Sequence, residues 1–346
     1  MMVPDNVQFA TDAAKALKDL FTRRNYSQVM VLTDENTRKH CYPLLAGGLP
    51  AHSVIQVESG EGQKTLTTCT HIWQDLTDKF VDRHGCLVVL GGGVLGDMGG
   101  FCAATYKRGI DFVLVPTTLL AQCDASIGGK LGVDFNHFKN HIGVFCQPTL
   151  TLLYSGFLKT LPPRELRSGF AEIIKHTLIS DKEMWMKLSA RKLEDQSWSE
   201  LVEHSVVFKA RVTTEDPTEK GLRKILNAGH TIGHALETHL LNRGAQVTHG
   251  EAVAAGLVTE AHIAFRRGLL TSVELQEITQ YISSVYPRIE IDKEAEKVVC
   301  ELMMQDKKNR GNKILCVLLN GIGHAKWDYE INVDEVKNAL TFYQTL

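Results

Sequence analysis

The sequence predicts an α/β protein with an N-terminal domain on a mainly parallel sheet and a mostly α-helical C-terminal domain. Three observations predict it. Short apolar runs alternate with helical patterns over the first part of the chain, which is the cadence of a parallel sheet covered by helices. A glycine-rich turn joins one of these runs to a helix. After about residue 150 the runs give way to long helical patterns. The chain has 346 residues, enough for two domains of roughly 100–200 residues. The change of texture divides it into 1–155 and 156–346.

Taken in order, Thr11–Arg23 reads as an amphipathic helix and Val29–Thr33 as a buried strand ending at Asp34. Thr37–Leu45 reads as helix and Ser53–Val57 as strand. A polar loop, Glu58–Lys64, precedes a helical pattern from Leu66 to His84. Cys86–Leu90 is a third strand and runs into Gly91–Asp97, then a helix from about Met98 to Tyr106 and a strand at Phe112–Val115. Beyond the Leu161-Pro-Pro163 turn come helical patterns at Arg164–Ser180, Lys182–Ala190, Trp198–Glu215, Arg223–Leu241, Glu251–Arg267 and Ser272–Tyr286. Lys293–Gln305 adds a helix and Ile314–Leu319 a strand or hairpin. A last helix starts at Asn332, whose spacing to Glu335 fits a capping box.

Composition narrows the classes of function. There are 38 basic and 40 acidic residues, a net charge of −2, and no basic tail. Charge therefore gives no reason to expect nucleic acid or a membrane surface as partner. Eight scattered cysteines form no Cys-x-x-Cys pair and most sit in apolar runs, the usage of a reducing compartment. Met1–Lys15 lacks the basic-then-apolar order of a signal peptide, and no apolar run approaches the roughly 20 residues that span a bilayer. The expectation is a cytoplasmic protein.

Gly91-x-Gly93-x-x-Gly96 stands between a strand and a helix, where the dinucleotide fingerprint of a Rossmann-like domain must stand. Its glycines let a pyrophosphate approach the backbone at a helix N-terminus. A tight strand–helix turn without ligand is the bland alternative. The acidic residue that reads the ribose is missing from the end of the next strand, Val115-Pro-Thr-Thr118, and Asp111 lies at its wrong end. Asp34, closing an earlier strand, is the better candidate, so the strand order differs from the ordinary arrangement.

Thr117–Lys130, followed by Gly132-Val-Asp134 and His137-Phe-Lys139-Asn140, gathers hydroxyls, a glycine pair, two lysines and an asparagine. It reads as a setting for a phosphate or phosphorylated sugar, or else as a polar surface loop. Asp124 and Asp134 carry the wrong sign for a phosphate cradle and suit orienting lysines or binding substrate hydroxyls.

His230, His234, His239 and His249 crowd one stretch. His230 and His234 are four apart, on one helical face, and can share a metal or a substrate. Gly229 and Gly233 beside them point to something pressing on the backbone. Upstream, Leu161-Pro-x-Arg-Glu-x-x-x-Gly169-x-Ala-Glu172-Ile-Ile-Lys175 supplies a carboxylate. Glu172, His230 and His249 together make a two-histidine, one-carboxylate set suited to a catalytic divalent metal with open positions.

At this point the chain resembles the 3-dehydroquinate synthase family of the sugar-phosphate cyclase superfamily. The motifs that carry the resemblance are Gly91–Asp97, Val115–Lys130, Lys139-Asn-x-Ile-Gly143, Leu161–Lys175, Leu226-Asn-x-Gly-His-Thr-x-Gly-His234, His249-Gly-Glu251 and Asp306-Lys-Lys308. The resemblance implies an active site in the cleft between the two domains, with NAD and one divalent metal, zinc or cobalt, as cofactors. Glu172, His230 and His249 would hold the metal. NAD would touch Asp34, Glu61, Lys64, the turn Gly93, Val94, Leu95, Gly96 and Asp97, then Thr117, Thr118, Lys130 and Lys139, and Phe157, Leu158, Lys159 and Thr160. Substrate would meet Asp124, Lys130, Asn140, Lys175, Lys209, Arg223, Asn227, His234 and Lys307, this last in preference to Lys308. Arg108 would reach a neighbouring subunit's phosphate site, which implies a homodimer. Leu131, Lys107, Val144 and Asp134-Phe135 depart from the family's common residues. His239 stays a solvated or structural histidine.

The activity implied is that of a carbon–oxygen lyase of the shikimate pathway, feeding aromatic amino acid synthesis. It converts 3-deoxy-D-arabino-heptulosonate 7-phosphate, a phosphorylated seven-carbon sugar acid, to 3-dehydroquinate and phosphate. The course is transient oxidation at C5, β-elimination of phosphate, re-reduction, and intramolecular aldol closure. Rival readings are another sugar-phosphate cyclase, acting on sedoheptulose 7-phosphate or an amino analogue, a metal-dependent polyol dehydrogenase, and a non-catalytic zinc protein. Arg223, Asn227 and His234 favour a substrate with a carboxylate. The lysine and arginine cluster is more than a dehydrogenase needs, and three good ligands are too few for a closed structural zinc site.

Overall fold

The computed structural model describes residues 3–136, 138–304 and 313–346. The chain divides into two units, Met1–Pro162 with Trp198–Ala210, and Pro163–Ser197 with Arg211–Leu346. A single cut in the sequence does not anticipate that Trp198–Ala210 belongs with the first unit.

The first unit contains β1 (Val7–Phe9), α1 (Ala13–Arg23), β2 (Val29–Asp34), α2 (Glu35–His40), β3 (His52–Val57), α3 (Leu66–Asp78), β4 (Cys86–Gly91), α4 (Gly93–Thr105), β5 (Asp111–Pro116), β6 (Lys130–Phe135), β7 (Phe138–Phe145) and β8 (Leu150–Leu153). Among the described residues its main sheet has six strands in the order β1-β8-β5-β4-β2-β3. Every pairing in it is parallel. Each residue of β2 and of β4 is buried, which is why these strands read as unbroken apolar runs. Successive side chains feed opposite faces: Met30, Leu32, Leu87 and Val89 join one apolar cluster, and Val29, Val31, Cys86 and Val88 join the other.

The strand order places the site. From β2 the chain steps outward to β3, then returns to put β4 on the opposite side of β2. A parallel sheet whose order reverses in this way opens a crevice at the carboxyl ends of the two strands. Asp34 closes β2 and the glycine turn closes β4, so the reversal brings the two sequence candidates to one crevice. The ordinary order is replaced, as Asp34 implied.

Several predicted elements change in detail. The helix after the glycine turn begins at Gly93, not Met98, so the glycines form its first turn. The helix from Leu66 ends at Asp78, because Phe80 turns left-handed (φ 55) and Val81 N–H reaches back to Leu76 O at 3.0 Å. The helix predicted over Thr37–Leu45 is α2 followed by 3₁₀ turns at Tyr42–Leu44 and Ala46–Gly48, with Pro43 withholding a donor. The anion-binding run is a π-helical turn, Ala121–Ala125, and then an antiparallel hairpin of β6 and β7.

The second unit holds α5 (Pro163–Ser180), α6 (Lys182–Ser189), the end of α7 (Trp198–Glu215), α8 (His230–Asn242), α9 (His249–Arg266), α10 (Ser272–Val285), α11 (Lys293–Met304), β9 (Ile314–Leu319), β10 (Ala325–Ile331) and α12 (Val333–Tyr343). The helix predicted over Arg223–Leu241 is broken into a 3₁₀ turn, Leu222–Asn227, and α8. The break lies at Gly229, which is left-handed (φ 76). α9 is buried continuously from Gly250 to Ala261, as its run of Ala, Gly and Val on every face demands. Capping boxes start α9 at Thr248, α10 at Thr271 and α12 at Asn332. β9 and β10 pair antiparallel. All eight cysteines are unbridged. Among the described residues no helix is long and apolar enough to cross a membrane.

Candidate active site

In the first unit, most of the residues expected to meet NAD follow the carboxyl ends of neighbouring parallel strands, while Lys130 and Lys139 lie on the β6–β7 hairpin. Asp34 ends β2, Glu61 and Lys64 follow β3, Gly93–Asp97 follow β4, Thr117 and Thr118 follow β5, and Phe157–Thr160 follow β8. A pocket lies here, lined by the glycine turn, Asp97, Ser126 and Lys130. α4 has no side-chain cap, which leaves first-turn N–H groups available to an anion. A Cβ at Gly96 would meet nothing within 4 Å. Packing therefore does not require glycine at that position.

Side chains around the crevice form a ring of contacts. Lys64 is buried, and its Nζ donates to Asp97 Oδ2 and to Asn140 Oδ1, each at 2.6 Å. Asn140 N–H donates to Asp134 Oδ1 at 2.7 Å, and Asp134 N–H donates to Lys64 O at 2.9 Å. Asn140 is held left-handed (φ 51), a strained conformation for a residue other than glycine and one that recurs at functional sites. Burial pushes the Asp97 carboxyl up, and the Lys64 ammonium partly offsets this. Lys209 donates to Asp124 O at 2.8 Å and pairs with Asp124 Oδ1 at 2.7 Å. Asp124 thus orients a lysine.

Other candidates sit differently. Asp34 Oδ1 accepts from Thr37 N–H at 2.7 Å, so this carboxylate also caps α2. Phe157 and Leu158 are buried, and Phe157 packs edge-on to Tyr154, so their side chains serve the core. Lys130, Lys139, Lys159, Thr160 and Glu61 are exposed. Arg108 is exposed too, in a turn where Lys107 (φ 49) and Arg108 (φ 68) are both left-handed. Lys107 folds back to donate to Val81 O at 2.7 Å, and Arg108 has no hydrogen bond or ion pair among the described residues. Lys307 and Lys308 lie outside the described residues.

The second unit gathers the metal candidates. Glu172 lies on α5, His230 opens α8 and His249 opens α9. Glu172 Oε1 is 3.3 Å from His230 Nε2 and 3.3 Å from His249 Nε2. Its Oε2 pairs with the buried Lys175 ammonium. The rings of His230 and His249 lie 5.3 Å apart, and that of His234 lies 4.9 Å from His230. The ring nitrogens of all three histidines come within 4.8 Å of one another. His234 is therefore near the ion site as well as on the same helical face as His230.

The chemistry of this donor set fits a divalent ion. His230 Nδ1 lies 2.9 Å from Ala228 O, and His249 Nδ1 lies 3.4 Å from Glu237 Oε2. Both contacts place a proton on Nδ1 and leave Nε2 to ligate. Burial opposes charge on Glu172, but Lys175 and His230 outweigh it and hold the carboxyl well below its usual range. Burial and the Lys175 charge lower His230, keeping it neutral. Burial would lower His249 as well, yet bonds to Glu172 and Glu237 raise it to about 9, so an entering metal displaces a proton there.

Beside this cluster Asp216 accepts the N–H groups of Lys220, Gly221 and Arg223 at 2.7–3.0 Å and folds the loop that carries Arg223. Buried Arg223 donates to Pro217 O at 2.8 Å, and Asn227 donates to Glu219 Oε1 at 2.7 Å. Sequence reasoning missed Asp216, Glu219 and Glu237. Only Glu237 had a local signal, three residues after His234 on the same helix. The pressure on Gly229 and Gly233 is now explained: α9 lies against them, since a Cβ at Gly233 would fall 2.9 Å from Ala252 O.

Comparison with known proteins decides the family. The 3-dehydroquinate synthase N-terminal model matches residues 54–168, and the C-terminal model matches residues 169–309. The chain belongs to the 3-dehydroquinate synthase family. A 3-dehydroquinate synthase of Parabacteroides distasonis is 36% identical over 349 residues, covering 99% of each chain. Among solved structures, a 2-epi-5-epi-valiolone synthase from Streptomyces hygroscopicus, with NAD+ and Zn2+ bound, superposes with a TM-score of 0.87. It is 26% identical, covering 100% of this chain and 98% of that one. A 2-deoxy-scyllo-inosose synthase shares the fold at a TM-score of 0.82 and 24% identity, over 96% of this chain and 95% of that one. Family membership and fold thus agree with the reading from the sequence motifs.

Proposed function

We propose that the chain is a 3-dehydroquinate synthase that uses NAD and one zinc or cobalt ion, with Glu172, His230 and His249 as the metal ligands. The observation that carries this is one carboxylate oxygen 3.3 Å from two imidazole nitrogens, each ring fixed from its far side. The solved valiolone synthase binds NAD+ and Zn2+, which supports the same pair here. When bound, the metal supplies Lewis-acid polarisation of substrate hydroxyls, and NAD supplies a transient hydride acceptor at C5.

The protein's own groups meet the other demands. Lys130, Lys175, Lys209 and Arg223 supply positive charge for the carboxylate and phosphate ends. The ring of Lys64, Asp97, Asp134 and Asn140 holds polar groups at fixed positions beside the glycine turn. His234 is only partly buried and is the proton carrier. Asp124 sets Lys209, and Asn227 stands with Arg223 at the substrate carboxylate. Asp34 remains the ribose contact, and the first unit is the NAD-binding domain. Arg108 reaches a second copy's phosphate site in a homodimer, a role supported by its strained, exposed turn. Free thiols and a biosynthetic role support a cytoplasmic location.

Two variants test parts of this assignment. Lys64→Ala removes the amine that Asp97 and Asn140 share, so NAD affinity falls by at least about 10-fold in calorimetric titration. Unchanged affinity would remove Lys64 from the cofactor site. Glu237→Gln takes the carboxylate from His249 Nδ1. It weakens zinc by roughly 10–100-fold in chelator competition, with activity recovering when zinc is in excess.

The reading as a whole is tested by offering the heptulosonate phosphate and sedoheptulose 7-phosphate in parallel. A site built for the carboxylate prefers the first by at least about 10³-fold in kcat/KM, because the analogue offers no carboxylate to Arg223 and Asn227. Equal rates, or preference for sedoheptulose 7-phosphate, would assign the chain to another cyclase.

A further inference from the structure

α8, which carries His230 and His234, starts at left-handed Gly229 and has no side-chain cap of its own. Its cap comes from another helix. Glu260, on α9, is 3% exposed. Its Oε2 accepts Gly229 N–H at 2.5 Å, and its Oε1 accepts Thr231 N–H at 3.2 Å and Ile232 N–H at 3.4 Å. A carboxylate on first-turn N–H groups is the charge arrangement a helix N-terminus favours, and a dry setting strengthens it. The two helices touch backbone to backbone at this point, where a Cβ on Gly256 would lie 1.9 Å from Gly229 O. α9 also carries His249 at its first position. One side chain therefore joins the start of the helix bearing one imidazole to the body of the helix bearing the other.

We propose that Glu260 is a positioning residue for the metal centre. Acting through the backbone of Gly229–Ile232, it fixes where His230 stands relative to His249 and Glu172. It touches neither metal nor substrate. The inference rests on the metal reading given above. It goes beyond that reading in naming a carboxylate, far from the ligands in sequence, on which their geometry depends.

The test measures zinc affinity by competition with a chromophoric chelator, and the visible absorption of the cobalt form, in full-length Glu260→Gln and Glu260→Ala. The glutamine variant keeps the side-chain shape and one acceptor, so it carries the test should the alanine variant not fold. Ile278→Val, a fully buried change on α10, gives a control for lost stability without a metal role. Zinc binding weakens by about 10-fold or more in Glu260→Gln and the cobalt spectrum changes, while Ile278→Val leaves both as in wild type. Wild-type zinc affinity and cobalt spectrum in both Glu260 variants would overturn the inference alone. So would equal weakening in Ile278→Val, which would make the effect one of general stability. A wild-type chain that binds no zinc would overturn the metal reading and this inference with it.

Discussion

Glu172→Ala abolishes stoichiometric metal binding and lowers kcat/KM by at least about 10³-fold. The carboxylate approaches both His230 Nε2 and His249 Nε2, at 3.3 Å each. Without it, the two imidazoles face a buried space that also holds the Lys175 ammonium. That charge repels an incoming cation. Breaking the buried pair also costs stability, on the order of 3–5 kcal/mol. Glu172→Gln, which keeps the volume, separates loss of the ligand from loss of fold. Metal content after dialysis, read beside the unfolding midpoint, checks both. A folded alanine variant that keeps one metal per chain and its activity would show that Glu172 is not a ligand.

Gly256→Ala produces a severe steric effect between the two helices that bear the imidazoles. The added Cβ would lie 1.9 Å from Gly229 O, 2.8 Å from Gly229 C and 2.9 Å from Gly233 N, all backbone atoms that cannot swing aside. α8 and α9 must part, at a cost of about 3 kcal/mol or more. Because these helices carry His230 and His249, the shift reaches the metal site, and zinc affinity falls together with stability. At Gly47 a Cβ meets nothing within 4 Å, so Gly47→Ala stays within about 0.5 kcal/mol of wild type. Denaturant unfolding of the two variants gives the contrast. Equal stabilities would mean that α8 and α9 do not pack as closely as described.

The sheet was legible because buried parallel strands are short apolar runs. Val29–Thr33 and Cys86–Leu90 were found for that reason. Helix starts were less legible, although the signal was present. Thr248 and Glu251 have the same capping spacing as Asn332 and Glu335, yet the glycine between them hid the start of α9 and placed His249 before the helix instead of on it. The β6–β7 hairpin was masked by a run of glycines, lysines and hydroxyls that reads as loop. The metal candidates came from residue type and motif, since Glu172 and His249 are 77 positions apart and no periodicity links them. Glu260 escaped for the same reason: it bonds Gly229 across 31 positions, and a glutamate inside a helical pattern looks like a solvated face. Burial distinguishes the two, and burial of one glutamate depends on the whole packing around α9.

The proposed reaction is that of a lyase in which NAD is used catalytically. Phosphate release from 3-deoxy-D-arabino-heptulosonate 7-phosphate, followed in parallel with absorbance of NADH at substoichiometric NAD, tests it directly. Many phosphates per NAD, no net NADH, and loss of activity with a chelator that is restored by zinc or cobalt are the predicted results. Absence of phosphate release, or NADH formed in step with substrate consumed, would contradict it and favour a dehydrogenase.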